Sequence, residues 1–307
     1  MDLQRQHYNL PSDAVWFITG CSSGIGKALA NLVAAKGHRL VATARNITAL
    51  SYLPSSPNIL PLPLDTTSTP SIDAAIAAAL SHFGRIDVMV NNAGYSYRGD
   101  TENALPSQAH TLMSTNFWGT VALTIHAMRI MREVNLVSGQ QGGVILNLSS
   151  MGGRAAFPGN AFYHASKFAV EGFTESVAKE VRPEWNIRFC CVEPGGVKTE
   201  FAGRSMVAIE PHKAYDHEDS PTRMLKRYME DEELTKGWAD VEVVVGKMWE
   251  LVEAGDIPLR VPLGPDAWGM LKVENEKEAK ELDRWRAFSE SAGKKGQFES
   301  VKWLSER

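Results

Sequence analysis

The chain has 307 residues, of which 44% are hydrophobic and 22% are charged, and its formal net charge is −4. This composition suits a soluble globular protein with a buried core and argues against nucleic acid or an anionic membrane as a partner. No apolar run reaches the ~20 residues that a membrane span needs, and we expect no secretory signal. The three cysteines, Cys21, Cys190 and Cys191, lack disulfide or metal-ligand spacing, which predicts reduced thiols in a cytoplasmic protein without a metal site.

Strand-like and helix-like patterns alternate along the first two thirds of the chain. Strands joined by helices imply right-handed crossovers and a parallel sheet that is buried on both faces. The sequence therefore predicts an α/β fold with a Rossmann-like, doubly wound parallel sheet in a single domain. In chain order, the expected elements are strand 14–19, helix 25–36, strand 38–44, a weak helix 46–53, strand 58–64, helix 68–83, strand 86–90, a long helix 104–134 with at most one break, strand 143–148, helix 160–182 and strand 186–192.

The remainder of the chain is less regular. Residues 197–236 are polar and contain Pro211 and Pro221, a pattern that is typical of a lid or a flexible loop. Their mixture of apolar and charged residues indicates a mobile lid over a moderately large apolar substrate. We expect a single domain, 1–307, whose core comprises about 14–200 and 239–262, with a helix at 239–254 and a last strand at 257–261. A variable substrate lid is expected at about 197–236. A C-terminal extension of about 265–307 is expected to form one or two amphipathic helices.

Residues 19–26 read TGCSSGIG and lie between the first predicted strand and the first predicted helix. Glycines allow a tight turn and a close approach to a ligand, while the helix N-terminus offers unpaired N–H groups and a partial positive charge. A plain tight turn is the alternative. The position at the first strand–helix junction favours a pyrophosphate site, whose expected contacts are Gly20, Ser22, Ser23, Gly24, Ile25 and Gly26.

The end of the second predicted strand indicates which dinucleotide would bind. An acidic residue there would bind the ribose 2′-hydroxyl, but this strand ends in Arg45 and contains no acid. Arg45 can pair with a 2′-phosphate, and the Ser22 hydroxyl can assist it, so we expect NADP(H) as the cofactor. A solvated loop cation is the alternative interpretation of Arg45.

Asp65 follows the third predicted strand and is expected, with Thr66 beside it, to contact the adenine end of the cofactor. The carboxylate would accept a hydrogen bond from the adenine amino group. An N-cap role for Asp65 is the alternative, although Thr66, Thr67 and Ser68 lie nearer to the following helix and would cap it as well.

Tyr163 and Lys167, in the segment YHASK, lie four residues apart in a predicted helix, so their side chains share one face. A nearby ammonium lowers the pKa of a phenol, and a buried setting strengthens this coupling. The pair is therefore suited to exchange a proton with an alcohol oxygen. A surface pair is the alternative, since the spacing is common.

Polar residues at the ends of other strands favour the catalytic interpretation. Ser150 follows the fifth predicted strand and precedes Tyr163 by thirteen residues, so its hydroxyl could hold a substrate carbonyl. The segment Asn92-Ala93-Gly94 ends the fourth strand at the same edge and is expected to contact the cofactor. The backbone carbonyl of Asn116 is expected on a water-linked proton path near Lys167.

With these motifs the chain resembles the short-chain dehydrogenase/reductase family, in its compact, non-extended branch. The members that it resembles are 17β-hydroxysteroid- and retinol-dehydrogenase-like proteins and fungal NADP-dependent oxidoreductases. The matching pieces keep the family's order and approximate spacing. They are TGCSSGIG at 19–26, Asp65, NNAG at 91–94, Asn116 in STNFWGT, NLSSMGG at 147–153, YHASK at 163–167 and PGGVKT at 194–199.

The resemblance implies a catalytic tetrad of Ser150, Tyr163, Lys167 and Asn116. Tyr163 would be the acid/base, Lys167 would lower its pKa and hold the nicotinamide ribose, and Asn116 would sustain a water relay. The nicotinamide end of the cofactor would be cradled by Pro194, Gly195, Val197 and Thr199. Family members pair the helices that correspond to 104–134 and 160–182 between subunits, which implies a homodimer or homotetramer.

The expected function is that of an NADP(H)-dependent oxidoreductase that interconverts a carbonyl and an alcohol on a hydrophobic small molecule. Reduction of a ketone or aldehyde, in secondary metabolism, is the direction that the resemblance favours. The alternative is an NADPH-binding homologue with a non-redox role, either as a partner protein or as a cyclase-like enzyme. A sugar epimerase or dehydratase is a third alternative, which the glycine spacing disfavours.

Several side chains near these motifs leave their role open. His164 points about 100° away from Tyr163 around the helix, and substrate contact is the less favoured interpretation of it. Four residues are equally consistent with a pocket wall and with plain packing: Phe157, Pro158, Phe162 and Phe201.

Overall fold

A central sheet of seven parallel strands organises the molecule, in a computed structural model that describes residues 7–200, 206–294 and 296–305. Its strand order is β11-β7-β6-β4-β1-β2-β3, and two short two-stranded sheets, β10-β8 and β5-β9, lie outside it. The strands are β1 Val15–Ile18, β2 Arg39–Ala44, β3 Ile59–Pro63, β4 Val88–Asn91, β5 Ser96–Arg98, β6 Gly143–Leu148, β7 Ile187–Pro194, β8 Val197–Lys198, β9 Met206–Ala208, β10 Ala239–Asp240 and β11 Arg260–Leu263.

Helices connect these strands and cover both faces of the central sheet. They are α1 Gly24–Ala35, α2 Thr69–Phe83, α3 Pro106–Met113, α4 Gly119–Arg129, α5 Asn135–Val137, α6 Ala161–Glu180, α7 Pro221–Glu230, α8 Glu232–Thr235, α9 Val241–Ala254, α10 Pro265–Ser291 and α11 Gln297–Val301. Two π-helical segments, Ser114–Trp118 and Ile130–Val134, join α3, α4 and α5. The long helix expected at 104–134 is thus one helical run whose hydrogen-bond register shifts twice.

The two faces of the sheet carry separate apolar layers. On one face, α1 and α9 bury residues such as Leu29 and Met248 against the sheet. Trp249 of α9 stacks on Trp16 of β1, with ring centroids 5.3 Å apart. On the other face, residues such as Ile76 of α2 and Leu123 of α4 pack against the odd-numbered side chains of β1 and β4. This burial on both faces explains why the strands are apolar throughout.

The strand order reverses at β1, which lies between β4 and β2. At such a switch point the connections leave the sheet in opposite directions, so a crevice opens above the carboxyl ends of the two strands. The predicted doubly wound, Rossmann-like sheet in one domain is confirmed. The fold therefore brings TGCSSGIG and NNAG, which follow β1 and β4, to the same edge.

Three segments differ from the sequence expectation. The weak helix at 46–53 is only a 3-10 turn, Ile47–Leu50, and the last strand is Arg260–Leu263 rather than 257–261. Ile257 is fully buried in the loop before that strand, which explains why its apolar character suggested an earlier start. The segment expected to be an irregular lid contains the strand Met206–Ala208 and the amphipathic helix α7.

Candidate active site

A cavity of about 820 Å³ opens above the carboxyl ends of the central strands. Of the twenty residues that the sequence predicted for the site, eighteen line this cavity. They are Gly20, Ser22, Ser23, Gly24, Ile25, Arg45, Asp65, Thr66, Asn92, Ala93, Gly94, Ser150, Tyr163, Lys167, Pro194, Gly195, Val197 and Thr199. The other two, Gly26 and Asn116, are buried behind its wall.

The glycine loop is held tightly against the end of β4. Gly20 has φ +71° and Gly24 has φ +53°, a backbone conformation that L side chains rarely adopt. The Asn92 side-chain amide donates to the Thr19 carbonyl at 2.8 Å, and the Thr19 hydroxyl accepts from the Asn92 and Ala93 N–H groups at 2.9 and 3.0 Å. Gly26 faces the Gly20 carbonyl so closely that a Cβ would clash there, so it serves loop packing rather than the cavity wall.

The first turn of α1 points its N–H groups toward the cavity end of this loop. Its N-cap residue, Ser23, makes no side-chain hydrogen bond to the helix. An N-terminus without a capping oxygen retains donors and a partial positive charge for an anion. The glycines, the uncapped helix and the cavity that they border therefore fit the pyrophosphate of a dinucleotide.

Arg45 and Asp65, which the sequence predicts to contact the adenine half of the cofactor, both line the cavity. Arg45 is exposed at the cavity wall. Asp65 Oδ1 accepts hydrogen bonds from the Thr67 N–H at 2.9 Å and the Thr67 hydroxyl at 2.7 Å, and these bonds lower the pKa of the carboxyl. Ser68, not Asp65, is the N-cap of α2, so the alternative role for Asp65 is excluded.

Tyr163 and Ser150 meet on the opposite wall. Ser150 is the N-cap of the turn Met151–Gly153, and its hydroxyl oxygen accepts from the Gly152 N–H at 3.0 Å. Loss of hydration raises the pKa of Tyr163 to about 12, while its hydrogen bond with Ser150 lowers that pKa. The sequence expectation was that Lys167 lowers the Tyr163 pKa, whereas the largest effect on this pKa in the structure is burial, which raises it. Tyr163 is consequently a protonated phenol at neutral pH.

Lys167 is buried one helical turn beyond Tyr163. Its Nζ donates a hydrogen bond of 2.6 Å to the Leu148 carbonyl at the end of β6 and lies 5.7 Å from the centre of the Tyr163 ring. Burial lowers the pKa of Lys167 to about 8, and the neighbouring Cys191 and Glu171 raise it. The side chain is therefore fixed in place with its charge close to titration.

Asn116 links the long helical run to this wall from within the π-helical segment. Its side-chain amide donates to the Tyr95 carbonyl at 2.9 Å and to the Ser166 hydroxyl at 3.1 Å, and its Oδ1 accepts from the Tyr95 N–H at 3.1 Å. The Asn116 carbonyl, which the sequence placed on a water path, accepts from the Thr120 hydroxyl at 2.9 Å. Asn116 thus ties Tyr95, directly after the NNAG segment, to Ser166 of α6.

His164 lies in the wall beside Tyr163 but is turned toward the Ser150 loop. Its Nδ1 lies 2.8 Å from the Gly152 carbonyl, so Nδ1 carries the hydrogen of the neutral ring. Burial lowers the pKa of His164, which keeps the imidazole neutral. Its ring is 5.5 Å from that of Phe157, which also lines the cavity, whereas Phe162 and Pro158 do not. Phe201 lies outside the described residues.

The cavity lining also includes residues that the sequence did not identify. Helix α7 presents Leu225, Tyr228 and Met229, and the segment around it adds Met206, Val207 and Trp238. The i, i+3, i+4 spacing of the three helical residues is a signal of an amphipathic helix that could have located this wall. The residues make one side of the cavity predominantly apolar.

Helix α7 is attached to the body by two ion pairs. The fully buried Asp100 carboxylate accepts from Arg223 Nη2 at 2.7 Å, the Thr222 hydroxyl at 2.8 Å and the His212 N–H at 2.9 Å. At the other end of the helix, Arg98 Nη2 lies 2.8 Å from the Glu230 carboxylate. Helix α7 is therefore fixed at both ends beside the cavity.

Two further observations concern what the described residues do not contain. Over residues 7–200, 206–294 and 296–305, no group of three or more His, Cys, Asp or Glu side chains is arranged to hold a metal ion. Within the same ranges, no helix has the length and apolarity to cross a membrane.

Comparison with known proteins identifies the family. The sequence model described as short chain dehydrogenase matches residues 14–207. The chain is 44% identical over 282 residues to the oxidoreductase calM of Penicillium decumbens, a match that covers 90% of this chain and 92% of calM. It is 34% identical to a 3-ketodihydrosphingosine reductase of Bacteroides thetaiotaomicron, over 81% of this chain and 87% of that protein.

A solved structure extends the agreement to three dimensions. The crystal structure of a short-chain dehydrogenase from Streptomyces avermitilis superposes with a TM-score of 0.79 at 30% identity, covering 91% of this chain and all of that chain (100%). Together with the glycine loop at β1 and the Tyr163–Lys167 pair on α6, these matches show that the protein is an oxidoreductase of the short-chain dehydrogenase/reductase family.

Proposed function

We propose that this protein is an NADP(H)-dependent reductase that converts a ketone or aldehyde of a hydrophobic small molecule to an alcohol. The observation that carries the proposal is the arrangement of Ser150, Tyr163 and Lys167 in one wall of the cavity that the glycine loop borders. A cytoplasmic location is part of the proposal and rests on the three cysteines without disulfide spacing. A role in secondary metabolism and a homodimeric or homotetrameric assembly are further parts, which rest on the family resemblance.

The protonation states of Tyr163 and Lys167 suit carbonyl reduction. NADPH, when bound along the cavity, would supply the hydride. Tyr163 is a phenol at neutral pH, so its hydroxyl can donate a proton to the carbonyl oxygen as that oxygen gains charge. Ser150, which is hydrogen-bonded to Tyr163, would hold the same oxygen. The Lys167 ammonium, 5.7 Å from the ring centre, would attract the phenolate that remains.

The preference for NADP(H) rests on the charge at the adenine end. Arg45 lines the cavity where an acidic residue would select NAD, and Ser22 lines it from the glycine loop. Replacement of Arg45 by Ala should lower kcat/KM for NADPH by about 10- to 100-fold, equivalent to about 1.4–2.7 kcal/mol, with little change for NADH. An unchanged NADPH/NADH ratio would contradict the cofactor assignment while leaving the reaction type intact.

The substrate class follows from the lid. Leu225, Met229 and Val207 face the cavity, and the segment of about 197–236 is the expected lid over an apolar substrate. Burying apolar substrate surface against such side chains contributes about 25 cal/mol per Å². One relative is a 3-ketodihydrosphingosine reductase, and a reductase of a 3-keto compound acts on the functional group that the Ser150–Tyr163 wall suits.

The reaction is tested by NADPH oxidation with a panel of apolar ketones and aldehydes. Replacement of Tyr163 by Phe should remove at least 99% of the turnover and leave NADPH binding within about twofold, because general acid catalysis contributes 10²–10⁴-fold. Replacement of Tyr215 by Phe, outside the cavity lining, is the matched control and should retain turnover. Near-wild-type turnover in the Tyr163 variant would contradict proton donation by Tyr163. Tight NADPH binding without oxidation across the panel would favour the non-redox alternative.

A further inference from the structure

The C-terminal helix leaves the body of the protein after three turns. The first part of α10 is anchored, because Ala267 and Leu271 are buried and Asn275 accepts a 2.8 Å hydrogen bond from Arg154. From residue 275 to residue 305, every described residue is exposed. We call residues 275–305 the C-terminal arm. Its helical part, 275–291, projects about 25 Å at the usual rise of 1.5 Å per residue.

The arm carries large apolar side chains on one side of the helix. Leu282, Trp285 and Phe288 are 75%, 47% and 71% exposed. At 100° per residue, successive members of this i, i+3, i+6 set are offset by about 60°, so they form one continuous face. Trp285 and Phe288 already stack edge to face, with ring centroids 5.6 Å apart. Beyond the helix, Phe298 and Trp303 are 64% and 52% exposed.

An exposed apolar face of this kind is expected to pack against a partner. Most helical stability in proteins comes from packing an apolar face, and a helix of this length is marginal in water when no face is packed. Ion pairs along the arm, such as Arg286 with Asp283 at 2.7 Å, are solvent-exposed and contribute little. Exposed aromatic and aliphatic side chains in a contiguous patch mark an interaction site.

The charges along the arm indicate what that partner is. Residues 274–283 contain five acidic and two basic side chains, whereas residues 284–302 contain five basic and two acidic ones. The two halves therefore carry opposite charges of equal size. Two arms laid antiparallel bring the acidic half of each against the basic half of the other, whereas parallel arms would oppose like charges.

We propose that the C-terminal arm pairs in antiparallel orientation with the arm of a second copy of this chain. In the symmetric arrangement Trp285 lies at the two-fold axis, and Leu282 of each arm faces Phe288 of the other. A two-fold contact of this kind is self-complementary, as a repeating dimer interface requires. This interface is separate from the helices at 104–134 and 160–182, and it does not depend on the reaction that the cavity supports.

Particle mass in solution tests the pairing. The triple variant Leu282→Ser, Trp285→Ser and Phe288→Ser should halve the mass measured by light scattering at micromolar concentration. Its NADPH binding and melting temperature should stay near those of the wild type, because the arm touches neither core nor cavity. A control variant, Ile47→Ser with Val243→Ser, removes exposed apolar side chains from the body and should keep the wild-type mass. An unchanged mass in the triple variant would overturn the proposal.

The relative orientation of the two arms is tested by disulfide cross-linking. The native cysteines, Cys21, Cys190 and Cys191, are all buried and should not compete with an introduced cysteine. Trp285→Cys should form a disulfide-linked dimer under mild oxidation, and Leu282→Cys should not. Efficient cross-linking of Leu282→Cys alone would indicate parallel arms and contradict the charge argument.

A charge variant keeps the apolar face and provides a second measurement of orientation. Arg284→Glu with Arg286→Glu should weaken self-association at least tenfold at low salt, since both halves of each arm would then be acidic. Self-association that does not change would contradict the pairing of opposite halves.

A membrane is the competing occupant, and vesicles test it directly. Wild-type protein should not co-sediment with phosphatidylcholine vesicles or with vesicles that contain 30% phosphatidylserine. The arm as a whole has balanced charge, which gives an anionic surface no net attraction. Binding to either vesicle that the triple variant loses, without any change of mass in solution, would replace the second copy with a lipid surface.

Discussion

The Gly196 N–H donates a hydrogen bond of 2.7 Å to Oδ2 of Asp266, seventy residues away in the chain. Asp266 is in the first turn of α10, and its carboxylate also fills the space beside Gly195 that a Cβ would need. On the other side of the loop, the Trp238 ring packs against Gly196 in the same way. The loop proposed to cradle the nicotinamide is therefore held between the C-terminal helix and the end of the lid.

Loss of the Asp266 carboxylate should loosen that loop. We expect Asp266→Ala to raise the Kd for NADPH about tenfold, equivalent to about 1.4 kcal/mol, because a hydrogen bond to a charged group contributes about 1.5–3 kcal/mol. NADPH fluorescence titration measures the change. Asp266→Asn retains an acceptor oxygen and should restore part of the affinity, and Asp256→Ala removes an exposed carboxylate elsewhere as the control. Equal affinity for Asp266→Ala and wild type would show that the contact is dispensable.

Lys167 should give the proposed carbonyl reduction an alkaline limit. Its pKa is lowered by burial to about 8, so its ammonium is present below that pH and is lost above it. We expect kcat/KM for carbonyl reduction to fall about tenfold per pH unit above that value. Lys167→Arg keeps its charge to much higher pH, so any activity that it retains should lack this fall. The same alkaline limb in both proteins would assign the titration to another group.

The Asp100–Arg223 pair should position the substrate lid. Arg223→Met leaves the buried Asp100 carboxylate without its ion partner, which can cost about 3 kcal/mol. Because the pair anchors α7, we expect KM for the substrate to rise tenfold or more, with the Kd for NADPH unchanged. Arg227→Met, an exposed position on the same helix, should leave both constants near wild type. A loss confined to NADPH affinity would be inconsistent with a role in the lid.

Glu193 should make stability depend on pH. Burial and the neighbouring Glu171 carboxylate raise its pKa from 4.5 to about 7, so between these values the folded state binds more protons than the unfolded state. Stability contributed by this group is present below pH 4.5 and is lost as pH rises to about 7. The wild-type melting temperature should therefore decline over this interval more steeply than that of Glu193→Gln. Parallel melting curves for the two proteins across this range would contradict the assignment.

Local sequence signals were sufficient to name most of the residues that line the candidate site. The glycine loop, Ser150 and the Tyr163–Lys167 pair each follow a strand or occupy one helical face, and the parallel sheet then brings strand ends together. The expected NADP(H) preference remains a prediction, which the Arg45→Ala variant tests. The protonation of Tyr163 could not be predicted, because it depends on burial that only the assembled wall creates.

The helix within the expected lid segment and the support of the loop proposed to cradle the nicotinamide were not predicted. Leu225, Tyr228 and Met229 have the i, i+3, i+4 spacing of an amphipathic helix, but Pro221 and the many charged residues around them favoured an irregular segment. In the sequence, Asp266 is an ordinary acidic residue in the first turn of a helix, and its neighbours in the chain do not indicate a hydrogen bond with Gly196. Contacts of this kind join distant segments, and only the fold determines them.

The stacking of Trp249 on Trp16 has a consequence for synthesis of the chain on the ribosome. β1 is made early, but the face of it that α1 covers in part is completed only when α9 (Val241–Ala254) arrives, and the sheet edge at β7 is closed only by β11 (Arg260–Leu263). The N-terminal strands must therefore emerge with a partly open apolar face until most of the chain has been translated. Nascent chains that end before residue 241 should be open to chaperones and proteases, and protection should appear abruptly once residues 241–263 leave the exit tunnel.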